Sequence, residues 1–267
     1  MEIEEKFEEL RKRGEGALMP HVYFGDPSPE FSFKLIHTLV ESGADLLELG
    51  IPFSDPIADG PTFIAACERA LSSGVTPRKC LEAIRELREG GLHLPILLTT
   101  YYHLMFSKGL EEFCEEAKKA GVQGLIVPDL PVEEAGELLR VTRKKGLHLI
   151  LQVAPTTSQK RLERIVGEAS GFLYLIGVEG VTGAREELAS STLELVGRVR
   201  GLTSLPLLVG FGISHPDHVR VLRRSGADGC VVGSAIARLY SERLEEPEKT
   251  LPAISRFVRS LKEATKE

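Results

Sequence analysis

The chain has 267 residues and a formal net charge of −6, with 42% hydrophobic and 27% charged side chains. That balance excludes a disordered chain, and no apolar run nears the roughly 20 residues that a membrane helix needs. The acidic excess argues against a nucleic-acid surface, and four cysteines without CxxC spacing, Cys67, Cys80, Cys114 and Cys230, read as small buried thiols of a cytoplasmic protein.

The acidic, amphipathic start predicts a helix over about 2–13 rather than a secretory signal. An apolar run at 17–23 and a helical pattern at 29–42 follow, then a run at 45–49, a short helical piece near 62–72 and a helix at 76–89. Further runs at 94–100, 123–127 and 147–153 alternate with helical patterns at 109–120, 132–145 and 158–169. The last three runs, 172–176, 206–210 and 228–232, alternate with helices at 192–200 and 215–225, and a short piece near 234–240 precedes a helix at 247–264. The runs are short, continuous and rich in Leu, Ile and Val, as strands of a helix-covered parallel sheet are. Gly43, Gly121, Gly146 and Gly226 mark helix ends just before strands. Thr76-Pro77 and Ser214-His215-Pro216-Asp217 read as helix starts, with a capping hydroxyl first and proline in the first turn.

Eight strand–helix alternations without a linker predict one (β/α)₈ barrel domain over 1–267, with an extra N-terminal helix and short extra helices after strands two and eight. The rival is a doubly wound open sheet. Gly210-Phe211-Gly212 is no dinucleotide fingerprint, because it lacks a third glycine and follows the seventh strand rather than the first.

In a barrel the chemistry sits at the C-terminal ends of the strands. Strand two ends Leu46-Leu47-Glu48-Leu49-Gly50, so Glu48 and the flanking Leu47 and Leu49 take opposite faces. A carboxylate buried among leucines has its pKa raised and becomes a proton carrier near neutrality. The next loop, 51–61, holds three prolines with Asp55 and Asp59 four apart, a rigid polar loop at the barrel mouth. Residues 177–183 carry three glycines, as loops that close over ligands do. Gly210-Phe211-Gly212 and Gly233-Ser234, ahead of a short helix, form the usual barrel phosphate site. His215 and His218 lack a third metal ligand at useful spacing and read as capping or solvent residues; His21, His93 and His148 read as packing.

The run from Leu46 to Pro61 resembles the signature of tryptophan synthase α subunits. Gly25-Asp26-Pro27, Thr100-Tyr101-Tyr102, Val127-Pro128-Asp129-Leu130-Pro131, Gly180-Val181-Thr182-Gly183, Gly210-Phe211-Gly212-Ile213 and Gly233-Ser234-Ala235 agree with it in order, over about 15–264. The resemblance implies a (β/α)₈ lyase. It implies retro-aldol cleavage of indole-3-glycerol phosphate to indole and glyceraldehyde 3-phosphate, without cofactor or metal. It also implies a β subunit, in an α2β2 complex, that consumes the indole. Glu48 falls on the family's catalytic glutamate and Asp59 on its catalytic aspartate. Tyr101, Tyr174, Thr182, Gly183, Phe211, Gly212, Gly233 and Ser234 fall on the substrate site, the glycines and Ser234 around the phosphate and Tyr174 and Phe211 around the indole. His21 stands where better-known members carry an aromatic ring near the indole; His103 and Val178 also depart from common usage. The alternatives are a free-standing indole-releasing lyase and an inactive barrel kept as a regulatory partner of the β subunit.

Overall fold

A computed structural model describes residues 1–177, 188–210 and 212–266. Helix α1 (Ile3–Arg13) opens the chain. Strand β1 (Ala17–Tyr23) leads to α2 (Pro29–Glu41), and β2 (Leu47–Gly50) leads to α3 (Pro61–Ser72) and α4 (Pro77–Glu89). Next come β3 (Ile96–Thr99), α5 (Tyr102–Lys108), α6 (Leu110–Ala120), β4 (Gly124–Ile126) and α7 (Gly136–Lys145). The pieces β5 (His148–Ile150) and β6 (Gln152–Val153) precede α8 (Gln159–Glu168) and β7 (Leu173–Ile176). Then follow α9 (Ser190–Arg200), β8 (Leu207–Gly210), α10 (Pro216–Arg224), β9 (Gly229–Val232) and α11 (Ser234–Ser241). A 3₁₀ turn (Pro247–Thr250) runs into α12 (Leu251–Ala264).

The strands are all parallel, in the order β5-β4-β3-β2-β1-β9-β8-β7-β6. Only Leu151 separates β5 from β6; β5 pairs with β4, and β6 pairs with β7. One stave, 148–153, therefore joins both ends of the sheet and closes an eight-staved barrel. The stagger of a closed barrel explains the split: each half of that stave meets a different neighbour.

Alternation along the strands sorts the core into two layers. Outward Val22, Leu47, Leu49 and Leu98 pack beneath the helices. Inward Ala17, Met19, Leu46, Leu97, Ile126 and Phe172 fill the barrel, and Ile3, Phe7 and Leu10 of α1 belong to the same cluster. The amphipathic N-terminal helix thus plugs the barrel floor, with Phe7 and Phe172 at 5.9 Å between ring centres. With its floor filled, the barrel has its cavity at the C-terminal ends of its strands.

The four glycines read as helix stops adopt positive φ, from 65° at Gly146 to 106° at Gly43, where a side chain would be strained. Some expectations need correction. Helix α10 is capped by the His215 ring, which accepts from Asp217 N, not by the Ser214 hydroxyl. Helix α7 starts at Gly136 rather than 132, because a turn closed by Glu134 N to Pro131 O occupies the preceding residues. Helix α5 was absent from the sequence reading, and the first turn of the helix expected at 247–264 is 3₁₀. Among the described residues, no helix is long and apolar enough to cross a membrane.

Candidate active site

Glu48 lies inside the barrel and is 2% exposed. Its register partner on β1 is His21, and its partner on β3 is Leu97. Thr99, one inward step further along β3, donates its hydroxyl to Glu48 Oε1 at 2.5 Å. His21 Nδ1 lies 3.4 Å from the same oxygen. Glu48 Oε2 has no partner among the described residues. Burial pushes the Glu48 carboxyl up to about 8; the Thr99 hydrogen bond opposes the rise and the charge of Asp59 adds to it. At neutral pH it is an acid with a proton to give.

Asp59 ends the proline-rich loop after β2 and is half-buried. Two phenols hold one of its oxygens: Tyr23 and Tyr101 donate to Oδ2 at 2.7 and 2.6 Å. The Tyr101 hydroxyl also accepts from Ala58 N at 3.1 Å, tying the loop backbone to the end of β3. Phe53 stacks on the Tyr101 ring at 5.2 Å. Burial raises the Asp59 pKa, and the two tyrosine hydrogen bonds oppose that rise by favouring the carboxylate. Asp55 is exposed and bonds the neighbouring Ser54 hydroxyl, as a turn residue does.

Both carboxyls open onto one cavity of about 360 Å³, which Tyr174, Gly212, Gly233 and Ser234 also line. That volume suits a small ligand. The apolar lining of the cavity includes Ile126, Tyr174 and Ile176, and Phe63, whose ring lies close against Gly233. The start of α11 also lines the cavity, where Gly233 is the N-cap and offers no side-chain cap. The first backbone N–H groups of that helix therefore remain available to an anion. Arg238, one turn along α11, is exposed, reaches the same cavity, and pairs with no carboxylate among the described residues.

Of the residues read from the sequence, Glu48, Asp59, Tyr174, Gly212, Gly233 and Ser234 therefore converge. Tyr101 is buried and acts behind Asp59 instead of lining the cavity. Thr182, Gly183, Phe211 and the departing residue Val178 lie outside the described residues. The sequence reading gave His21 a place near the indole by resemblance but no role, and it missed Tyr23, Thr99, Gln152 and Arg238 as site residues. Strand alternation is the available signal for the first four: each sits on an inward position near a strand's C-terminal end.

The family described as tryptophan synthase alpha chain matches residues 7–266. The tryptophan synthase alpha chain of Methanosarcina barkeri is 46% identical over 258 residues, covering 97% of this chain and 96% of the relative. That of Methanothermobacter thermautotrophicus is 47% identical over 259 residues, with the same coverage of 97% and 96%. Among solved structures, a tryptophan synthase alpha chain from Legionella pneumophila aligns with a TM-score of 0.88 at 35% identity, over 98% of this chain and 96% of that one. With an acid and a fixed carboxylate opening onto one cavity at the mouth of an eight-staved barrel, the chain belongs to the tryptophan synthase alpha chain family.

Proposed function

We propose that this chain cleaves indole-3-glycerol phosphate to indole and glyceraldehyde 3-phosphate, and passes the indole to a β subunit within an α2β2 assembly. The observation that carries the reading is the division of labour between two carboxyls on one cavity, Glu48 raised to about 8 and Asp59 fixed by two phenols. Such a pair suits a reaction that needs one mobile proton and one fixed negative charge. An inactive barrel retained for regulation has no use for it. Four unpaired cysteines suit a reducing compartment, and we place the protein in the cytoplasm.

The chemistry balances without an outside reagent. Glu48 delivers its proton to C3 of the indole, giving an indolenine cation whose N1–H is held by the Asp59 carboxylate. The bond between C3 and the glycerol carbon then breaks, and its electron pair returns to the ring. The hydroxyl on the departing carbon becomes the aldehyde carbonyl, and its proton goes to the Glu48 carboxylate. Glu48 ends as it began, and the protonated indole is itself the electron sink, so no metal or cofactor is needed. The apolar lining around Tyr174, Ile126 and Ile176 takes the indole. The phosphate rests on backbone N–H groups around Gly212, Gly233 and Ser234.

The direct test is indole release from indole-3-glycerol phosphate, assayed with and without a β subunit across pH. Since Glu48 must start protonated, kcat/KM of the isolated chain is expected to fall tenfold per pH unit above about 8. A profile still flat well above that pH sinks the assignment of Glu48 as the proton donor.

Arg238 gives a separate test of the phosphate end. Arg238→Met keeps the stem and removes the charge; KM should rise by about tenfold with kcat little changed, as for a charge-assisted hydrogen bond made equally in ground and transition states. An unchanged KM removes Arg238 from the phosphate site.

A further inference from the structure

Two buried polar atoms on residues that line the cavity lack a partner among the described residues: Glu48 Oε2 and His21 Nε2. The two side chains are register neighbours on β1 and β2 and project inward at the same height. The imidazole is wedged against the Tyr23 and Phe63 rings, with centres 5.2 and 4.7 Å away. Gly50 and Gly233 make room for it: a Cβ at Gly50 would lie 3.1 Å from His21 Nε2, and one at Gly233 would lie 3.2 Å from His21 Cβ. Held this way, the ring keeps Nδ1 toward Glu48 Oε1 at 3.4 Å. A shift of a few tenths of an ångström makes that a hydrogen bond, and contacts of this kind commonly tighten when substrate binds.

The two neutral tautomers have different consequences. With the proton on Nδ1, the ring and the Thr99 hydroxyl both donate to Oε1, and the acid's own proton must sit on Oε2. With the proton on Nε2, the bare Nδ1 faces Oε1 and draws the carboxyl proton to that oxygen, which the Thr99 hydroxyl already bonds. Only the first arrangement keeps the proton on the oxygen that has no partner among the described residues.

We propose that His21, as the Nδ1–H tautomer, is a positioning residue that together with Thr99 saturates Glu48 Oε1 and so confines the transferable proton to Oε2. The inference rests on Glu48 being the proton carrier. Burial holds the imidazole neutral, its pKa down to about 3, so the donor is an uncharged N–H throughout. In this tautomer Nε2 is an acceptor, the complement of a glycerol hydroxyl. The other titratable groups that face the pair are Tyr23 on β1, Asp59 in the loop after β2, Cys67 on α3, Tyr174 on β7 and Arg238 on α11. Burial raises the pKa of both Tyr23 and Tyr174, and they stay neutral beside it.

Nitrogen-15 NMR of the histidine-labelled chain reads the tautomer directly in the unmutated protein, with the His21 signal identified by its loss in His21→Phe. The Nδ1–H form is expected; an Nε2–H form overturns the proposal. Kinetics give a second readout. His21→Phe keeps the ring contacts and removes the donor, so kcat should fall by about tenfold while KM moves far less. Because the Glu48 carboxylate loses a donor, its pKa rises, and the alkaline limb of kcat/KM should move up by about one pH unit. His21→Asn, whose amide N–H reaches the same oxygen, should return the limb toward its original position. An unmoved limb in His21→Phe, or His21→Asn behaving as His21→Phe does, overturns the positioning role. An active Glu48→Gln enzyme would instead overturn the proton-carrier reading itself.

Discussion

Glu48→Gln lowers indole release by roughly 10²–10⁴-fold, the usual loss when a general acid–base is removed, and leaves the barrel more stable at neutral pH. The two effects share one cause. The carboxyl is buried and its folded pKa is about 8, against 4.5 for an unburied glutamate. Between those values the unfolded chain has lost the proton that the folded chain still holds. Folding therefore takes up a proton, and the stability that Glu48 contributes is full below 4.5 and lost as pH rises to about 8. Glutamine has the same shape and no charge to desolvate. Its carbonyl can accept from Thr99 as Oε1 does, while its amide cannot give a proton to carbon. Melting curves of the two proteins should coincide near pH 4.5 and diverge toward pH 8, with the variant higher by an amount on the order of a few kcal/mol. Near-normal indole release by the variant, or a lower melting point at pH 8, contradicts the account of Glu48 as a buried acid.

The strands were legible because each is a short run of Leu, Ile and Val between amphipathic helices, a pattern set by burial on both faces. Elements that depend on distant partners were not. Helix α5 has seven residues, of which only Met105 is buried, and Asp129 caps its start by accepting from Tyr102 N at 2.9 Å. A cap supplied from 27 residues away leaves no local sign. The site divides the same way. Glu48 stood out because a carboxylate among leucines conflicts with its neighbours. His21 did not, since a lone histidine on an apolar strand reads as packing until the register places it opposite Glu48. Tyr23 and Arg238 are likewise ordinary residues in sequence. One becomes a donor to Asp59 across 36 positions, and the other becomes part of the cavity because α11 starts at its rim.

Asp59→Asn should lower kcat by about 10²–10³-fold with KM nearly unchanged, the scale seen when a fixed charge or donor aimed at a developing charge is lost. Tyr23 and Tyr101 both donate to Oδ2, which orients the carboxylate plane and leaves the other oxygen for the indole N1–H. Positive charge appears on the indole only after C3 is protonated, so the carboxylate matters more in the transition state than in the bound substrate. In the variant, the amide oxygen stays with the two phenols and turns its NH₂ group toward N1–H, a donor against a donor. The phenols give the supporting test, because each lowers the Asp59 pKa that burial raises. Tyr23→Phe or Tyr101→Phe should each move the acid limb of kcat/KM to higher pH, since the carboxylate form is then harder to reach. The double variant should move it by more than the sum of the two, because both donors share one oxygen and each bonds more strongly once the other is gone. Tyr101→Phe should also loosen the loop, since Ala58 N loses its acceptor; hydrogen exchange at Ala58 should rise in that variant and not in Tyr23→Phe. If Asp59→Asn retains kcat, or neither phenylalanine variant moves the acid limb, Asp59 is not the charge that meets the indole nitrogen.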